Sequence, residues 1–137
     1  MKRLILSVLA VFAIATAVVG CSSSNTTGPT PTLMSGNTEL EGTWTAATEG
    51  MTLTFSGNNW TFTRSSLQIS GTFTINSAAS PKTIDRYVTT SSVPQYVGKT
   101  SLGIYLLSGT NLTFVGLEPG NATRPTSFDM AVVLVKQ

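Results

Sequence analysis

The chain of 137 residues contains no histidine and a single cysteine. One thiol excludes an intrachain disulfide framework. Without histidine there is no His-assisted serine or cysteine nucleophile and no ordinary zinc or copper cluster. Charge is scarce as well, with eight Lys or Arg against six Asp or Glu. Lys2 and Arg3 lie in the first three residues, so the 134 residues after them carry six basic and six acidic side chains and are formally neutral. Nucleic-acid binding requires phosphate-neutralising cations gathered on one face, and here they are scattered between positions 64 and 136 among as many acids. The six acids include no pair whose spacing establishes a glycosidase site. A noncatalytic protein without cofactor or metal is expected, and one that does not bind nucleic acid.

What is present begins at the N-terminus. Residues 1–20 place Lys2 and Arg3 ahead of an apolar run from Leu4 to Val19, broken only by Ser7 and Thr16, and end in a small residue, Gly20. That order is the export-signal arrangement, in which the charged end stays inside while the apolar segment enters the translocation machinery. The run of 16 residues is short for a helical span of about 20, although length alone leaves an uncleaved signal anchor open. Val18-Val19-Gly20-Cys21 resembles the bacterial lipobox. The resemblance implies diacylglyceryl transfer to the Cys21 sulfur, cleavage before it and acylation of the new amine; the alternative is an ordinary signal peptide followed by an incidental cysteine. Each buried acyl methylene contributes about 0.8 kcal/mol, so two or three chains hold a soluble domain at a bilayer. The expected location is the cell envelope, with the membrane as partner through Cys21. By the same resemblance Ser22, where Asp would imply inner-membrane retention, points to the outer membrane in a two-membrane host.

Residues 22–38, SSSNTTGPTPTLMSGNT, have too little apolar surface to offset the entropy of ordering and read as a flexible tether. Residues 39–137 are long enough for one small core. Their apolar residues recur at period two: Met51, Leu53 and Phe55 alternate with Thr52 and Thr54, and Trp60 and Phe62 alternate with Thr61 and Thr63. Leu67, Ile69, Phe73 and Ile75 continue the spacing around Gly71, where a bend or bulge is expected. Ser56-Gly57-Asn58-Asn59 and Ser108-Gly109-Thr110-Asn111 carry hairpin chemistry. These signals predict strands over 41–47, 51–56, 59–64, 67–76, 82–89, 102–108, 111–117 and 128–136, with helix limited to a turn near 91–98. The fold class is all-β: a small antiparallel up-and-down barrel of about eight strands, with a two-layer sandwich as the alternative. The strands are too short, and their second faces too rich in Thr, Ser and Asn, for a barrel that spans a membrane. Four Asn-x-Thr triplets, at Asn25, Asn59, Asn111 and Asn121, are compositional in a chain this rich in Asn and Thr.

Four stretches in series resemble a small lipocalin-like domain of uncharacterised function first described in planctomycete bacteria. They are Leu40-Glu41-Gly42-Thr43-Trp44; Gly71-Thr72-Phe73-Thr74-Ile75 with Pro81-Lys82-Thr83-Ile84-Asp85; Gly98-Lys99-Thr100-Ser101-Leu102-Gly103-Ile104-Tyr105; and Leu112-Thr113-Phe114 with Arg124-Pro125-Thr126-Ser127-Phe128. The resemblance implies a small β-barrel on a secreted or lipoprotein leader, and no settled substrate or reaction. Gly42-Thr43-Trp44 is also similar to the Gly-x-Trp of broader lipocalins, which implies that Trp44 closes one barrel end beneath a cation, Arg124 or Lys136.

The remaining prominent residues are candidates for binding. Arg64, Arg86 and Arg124 can fork onto a carboxylate or phosphate if two of them face the mouth, or can simply solvate the exterior. Lys82 and Asp85 fall on opposite faces of a strand and do not form a natural pair. Tyr105 belongs to an aromatic set able either to fill the interior or to line a pocket, and Tyr96 with Val97 is expected to be exposed on a polar connection. The functional expectation is a barrel, monomeric by preference, that binds a small apolar or amphipathic ligand or an envelope partner. The alternative is a fully packed barrel serving as scaffold or inhibitor-like interaction module.

Overall fold

The computed structural model describes residues 39–137; the export signal, Cys21 and the tether lie outside the described residues. Eight strands follow one another: β1 Gly42–Ala46, β2 Met51–Ser56, β3 Asn59–Arg64, β4 Leu67–Asn76, β5 Lys82–Ser91, β6 Thr100–Ser108, β7 Asn111–Gly116 and β8 Val132–Lys136. Each pairs antiparallel with its sequence neighbours, and β8 returns to β1 to complete a closed barrel. Closure leaves no strand edge for another chain to extend. Helix among the described residues is confined to two 3₁₀ turns, Ala47–Glu49 and Pro94–Tyr96.

Alternation sets the faces. Leu53, Phe55, Trp60, Phe73, Ile84, Val88, Tyr105, Leu112 and Leu134 are buried together in the interior, while the intervening Thr52, Thr54, Thr61, Thr72 and Thr74 stay at least partly accessible. Phe55 and Phe73 meet edge to face at 4.8 Å between ring centroids.

Gly71 is where the sheet curls. The register of β4 against β5 shifts between Ser70, opposite Thr90, and Gly71, opposite Val88, so Thr89 is the extra residue of a bulge. A Cβ on Gly71 would lie 1.8 Å from the Tyr87 carbonyl oxygen, so no larger residue fits. Trp60, directly across β3–β4 from Gly71, donates its indole N–H to that same carbonyl at 3.2 Å.

Three boundaries differ from expectation by two residues or more, and the ends of β1 and β7 by one. β5 runs two residues further, to Ser91, because Thr90 and Ser91 pair with Ser70 and Ile69 beyond the bulge. β6 begins two residues earlier, at Thr100, which pairs with Tyr87. β8 is much shorter than residues 128–136, because Ala131 N–H donates to the Phe128 carbonyl in a turn and pairing starts only at Val132. Residues 117–131 form a long connection instead. From it Arg124 reaches the outside of the wall, donating to the carbonyls of Ile84 and Gly103 and pairing with Asp85. Ile104 and Val115 stand opposite each other, out of phase with the inward Tyr105 and Phe114, yet are buried.

Candidate functional site

The antiparallel order gives the barrel two distinct ends. At one lie the start of β1, the β2–β3, β4–β5 and β6–β7 hairpins and the end of β8; at the other lie the β1–β2, β3–β4, β5–β6 and β7–β8 connections.

The first end is filled. Trp44 is 1% exposed, and its indole N–H donates to the Leu40 carbonyl at 2.8 Å. Lys136, opposite Trp44 in the β1–β8 register, holds its ammonium 5.3 Å from the ring centroid. Of the two candidate cations it is therefore Lys136, and not Arg124, that covers the indole. Beside it Glu39 accepts a hydrogen bond from the Tyr105 hydroxyl and pairs with Lys82 at 2.7 Å. Burial alone would push the Glu39 carboxyl up, but hydrogen bonds from Lys82 and Tyr105 and the Lys82 charge outweigh it and hold the group below its ordinary value. Burial, with the Glu39 carboxylate, in turn pushes the Tyr105 phenol far up, so it remains a donor.

The second end is hollow. A cleft of about 430 Å³ opens there, walled by apolar side chains including Met51, Leu53, Phe62, Leu67, Ile69 and Val132. Arg86 lies within it, 7% exposed, on the same face of β5 as Ile84 and Val88. The Arg86 guanidinium carbon is 4.7 Å from the ring centroids of both Trp60 and Phe114. Its Nη2 donates to Ser101 Oγ at 2.7 Å, and Ser101 passes a hydrogen bond on to the Leu117 carbonyl. The room for Nη2 comes from Gly116, where a Cβ would lie 2.3 Å from it. Burial lowers the Arg86 pKa to about 10, which leaves the group charged at neutral pH.

The candidate residues separate accordingly. Arg64, Arg86 and Tyr96 line the cleft; Tyr105 belongs to the filled end and Arg124 to the outer wall. Arg64 is exposed and pairs with Glu49 at 3.4 Å on the rim, so two arginines do not converge on one point inside. Tyr96, expected to be exposed, is half-buried: it packs against the core and donates its hydroxyl to Glu118 at 2.7 Å, whereas Val97 beside it is 47% exposed. The Glu118 carboxylate raises the Tyr96 phenol pKa. Lys82 and Asp85 take separate partners, Glu39 and Arg124. The interior is thus packed at one end only. Among the described residues no group of His, Cys, Asp or Glu is placed to hold a metal ion.

Ser101, Gly116 and Glu118 carry no spacing or patterning signal that marks them as site residues. A signal for Arg86 was present, because it stands two residues from both Ile84 and Val88. Its partners Trp60 and Phe114 come from β3 and β7, each one strand removed from β5, and the curl of the sheet across β4 and β6 makes them neighbours. No family model, curated protein or solved structure matches the chain.

Proposed function

We propose that this is a noncatalytic, lipid-anchored envelope protein whose barrel takes a small apolar or amphipathic molecule into the cleft at its open end. The observation that carries the reading is the cleft itself. Its volume of about 430 Å³ falls in the range of small-molecule sites, and its walls combine apolar side chains with a few polar groups. Fold alone would not support this step, since small barrels are also found filled.

The test is a titration of the full chain, held in lipid nanodiscs, with the neutral fluorophore N-phenyl-1-naphthylamine. A saturable rise in emission above that of empty nanodiscs is expected, and Val132→Trp, which fills the cleft, should abolish it. Absence of any saturable component would remove the ligand-binding reading. The alternative of loops presented to an envelope partner would then lead, supported by Val97 and Met130, 47% and 81% exposed.

Anchoring is supported by the lipobox resemblance at Val18 to Cys21. Intact mass should show an acylated Cys21 at the mature N-terminus. Cys21→Ala should give unprocessed precursor or protein poorly retained by membranes, and a free Cys21 thiol in a membrane-bound mature chain would overturn the anchor.

A further inference from the structure

Arg86 is the exception among the arginines of the described residues. Arg64 and Arg124 each pair with a carboxylate, and both lie at the surface or near it. Arg86 is the most buried of the three and has no ion pair among the described residues. A guanidinium carries five N–H donors. One hydrogen bond, to Ser101, engages this one, and its Nε is buried without a partner. The rings of Trp60 and Phe114 compensate the charge in part, but aromatic faces accept no conventional fork of hydrogen bonds. An unpaired buried charge is costly, and Gly116 leaves the space that lets this one stand where it does.

We infer that the occupant of the cleft is a carboxylate with an apolar body, bound head first, its head on the Arg86 guanidinium and its body along the apolar walls toward the mouth. This rests on the ligand-binding reading above and names the ligand class. A single buried cation matches a single negative charge. A phosphate dianion would exceed it, since the other arginine of the cleft, Arg64, is already paired with Glu49, and Glu118 adds negative charge at the rim. The walls offer few hydrogen-bonding groups beyond Ser101, Tyr96 and Glu118, which suits a hydrocarbon or aromatic body over a peptide.

The experiment is calorimetric titration of the full chain in nanodiscs, with empty nanodiscs subtracted, using decanoate, decanol, decylammonium and decyl phosphate. Charge-assisted hydrogen bonds predict that decanoate binds at least about tenfold more tightly than decanol, with decylammonium weakest and decyl phosphate below decanoate. Arg86→Met should abolish the preference for decanoate over decanol. Equal affinity for decanoate and decanol in the native chain would overturn the inference but leave an apolar-ligand cleft standing. Tighter binding of decyl phosphate would overturn the carboxylate assignment. Failure of all four, with no saturable naphthylamine signal, would overturn both readings. The native-chain series decides the matter even where Arg86→Met does not fold.

Discussion

The two ends of the barrel use the same ingredients to opposite effect. Each places a cation against an aromatic ring, Lys136 on Trp44 at the filled end and Arg86 on Trp60 and Phe114 at the hollow one. At the filled end the arrangement is complete: the indole N–H has a carbonyl, Glu39 has Lys82 and Tyr105, and Lys136 itself is exposed to water. At the hollow end a cation has been taken out of water and given one hydroxyl. The two ends therefore differ here less in residue type than in whether the charge of the cation is satisfied within the chain.

Substitutions at the two ends should differ in sign as well as size. Trp44→Ala removes a large, fully buried side chain and should lower unfolding stability by about 3–5 kcal/mol, measured by urea denaturation. Arg86→Met should act the other way in the unliganded chain, because replacing a buried, poorly compensated charge with an apolar side chain of similar length stabilises by about 1–4 kcal/mol. A loss of stability at Arg86→Met as large as that at Trp44→Ala would erase the distinction between the ends. Glu39→Gln should give the smallest effect, at most about 1 kcal/mol at neutral pH, since its pair with Lys82 is partly exposed. The native carboxyl is held below its ordinary value of 4.5, so its contribution is full above that pH. It is lost as the pH falls through the lower folded value. Denaturation midpoints of Glu39→Gln and the native chain should therefore converge on acidification below 4.5.

The barrel wall was more legible in the sequence than its contents. Alternation against Thr located the strands, and Gly71 announced the bulge, because both signals are local. Strand limits depart from the apolar periodicity where pairing sets them: Thr90 and Ser91 carry no apolar signal yet pair across to β4, while Phe128 and Met130 carry one and lie outside the sheet. Arg86 shows the same limit at the site. Its phase with Ile84 and Val88 points inward, but a charge at a core position is readable as a site only once Trp60, Ser101 and Phe114 are known to surround it. Glu39 and Tyr105 meet across a separation of 66 residues, which no spacing rule anticipates.

Seven of the eight strand pairings join sequence neighbours, and the eighth, β8 on β1, rests on two registered pairs and the Gln137 N–H to Thr43 carbonyl hydrogen bond. Without that seam the same eight strands would make a ribbon with two open edges. Loop-closure entropy weighs most heavily on this step, which joins the two most distant strands. The cleft draws its wall from both sides of the seam, with Met51 and Leu53 from β2 and Val132 from β8. A molecule spanning that wall would tie the two sides of the seam together and so favour the closed ring.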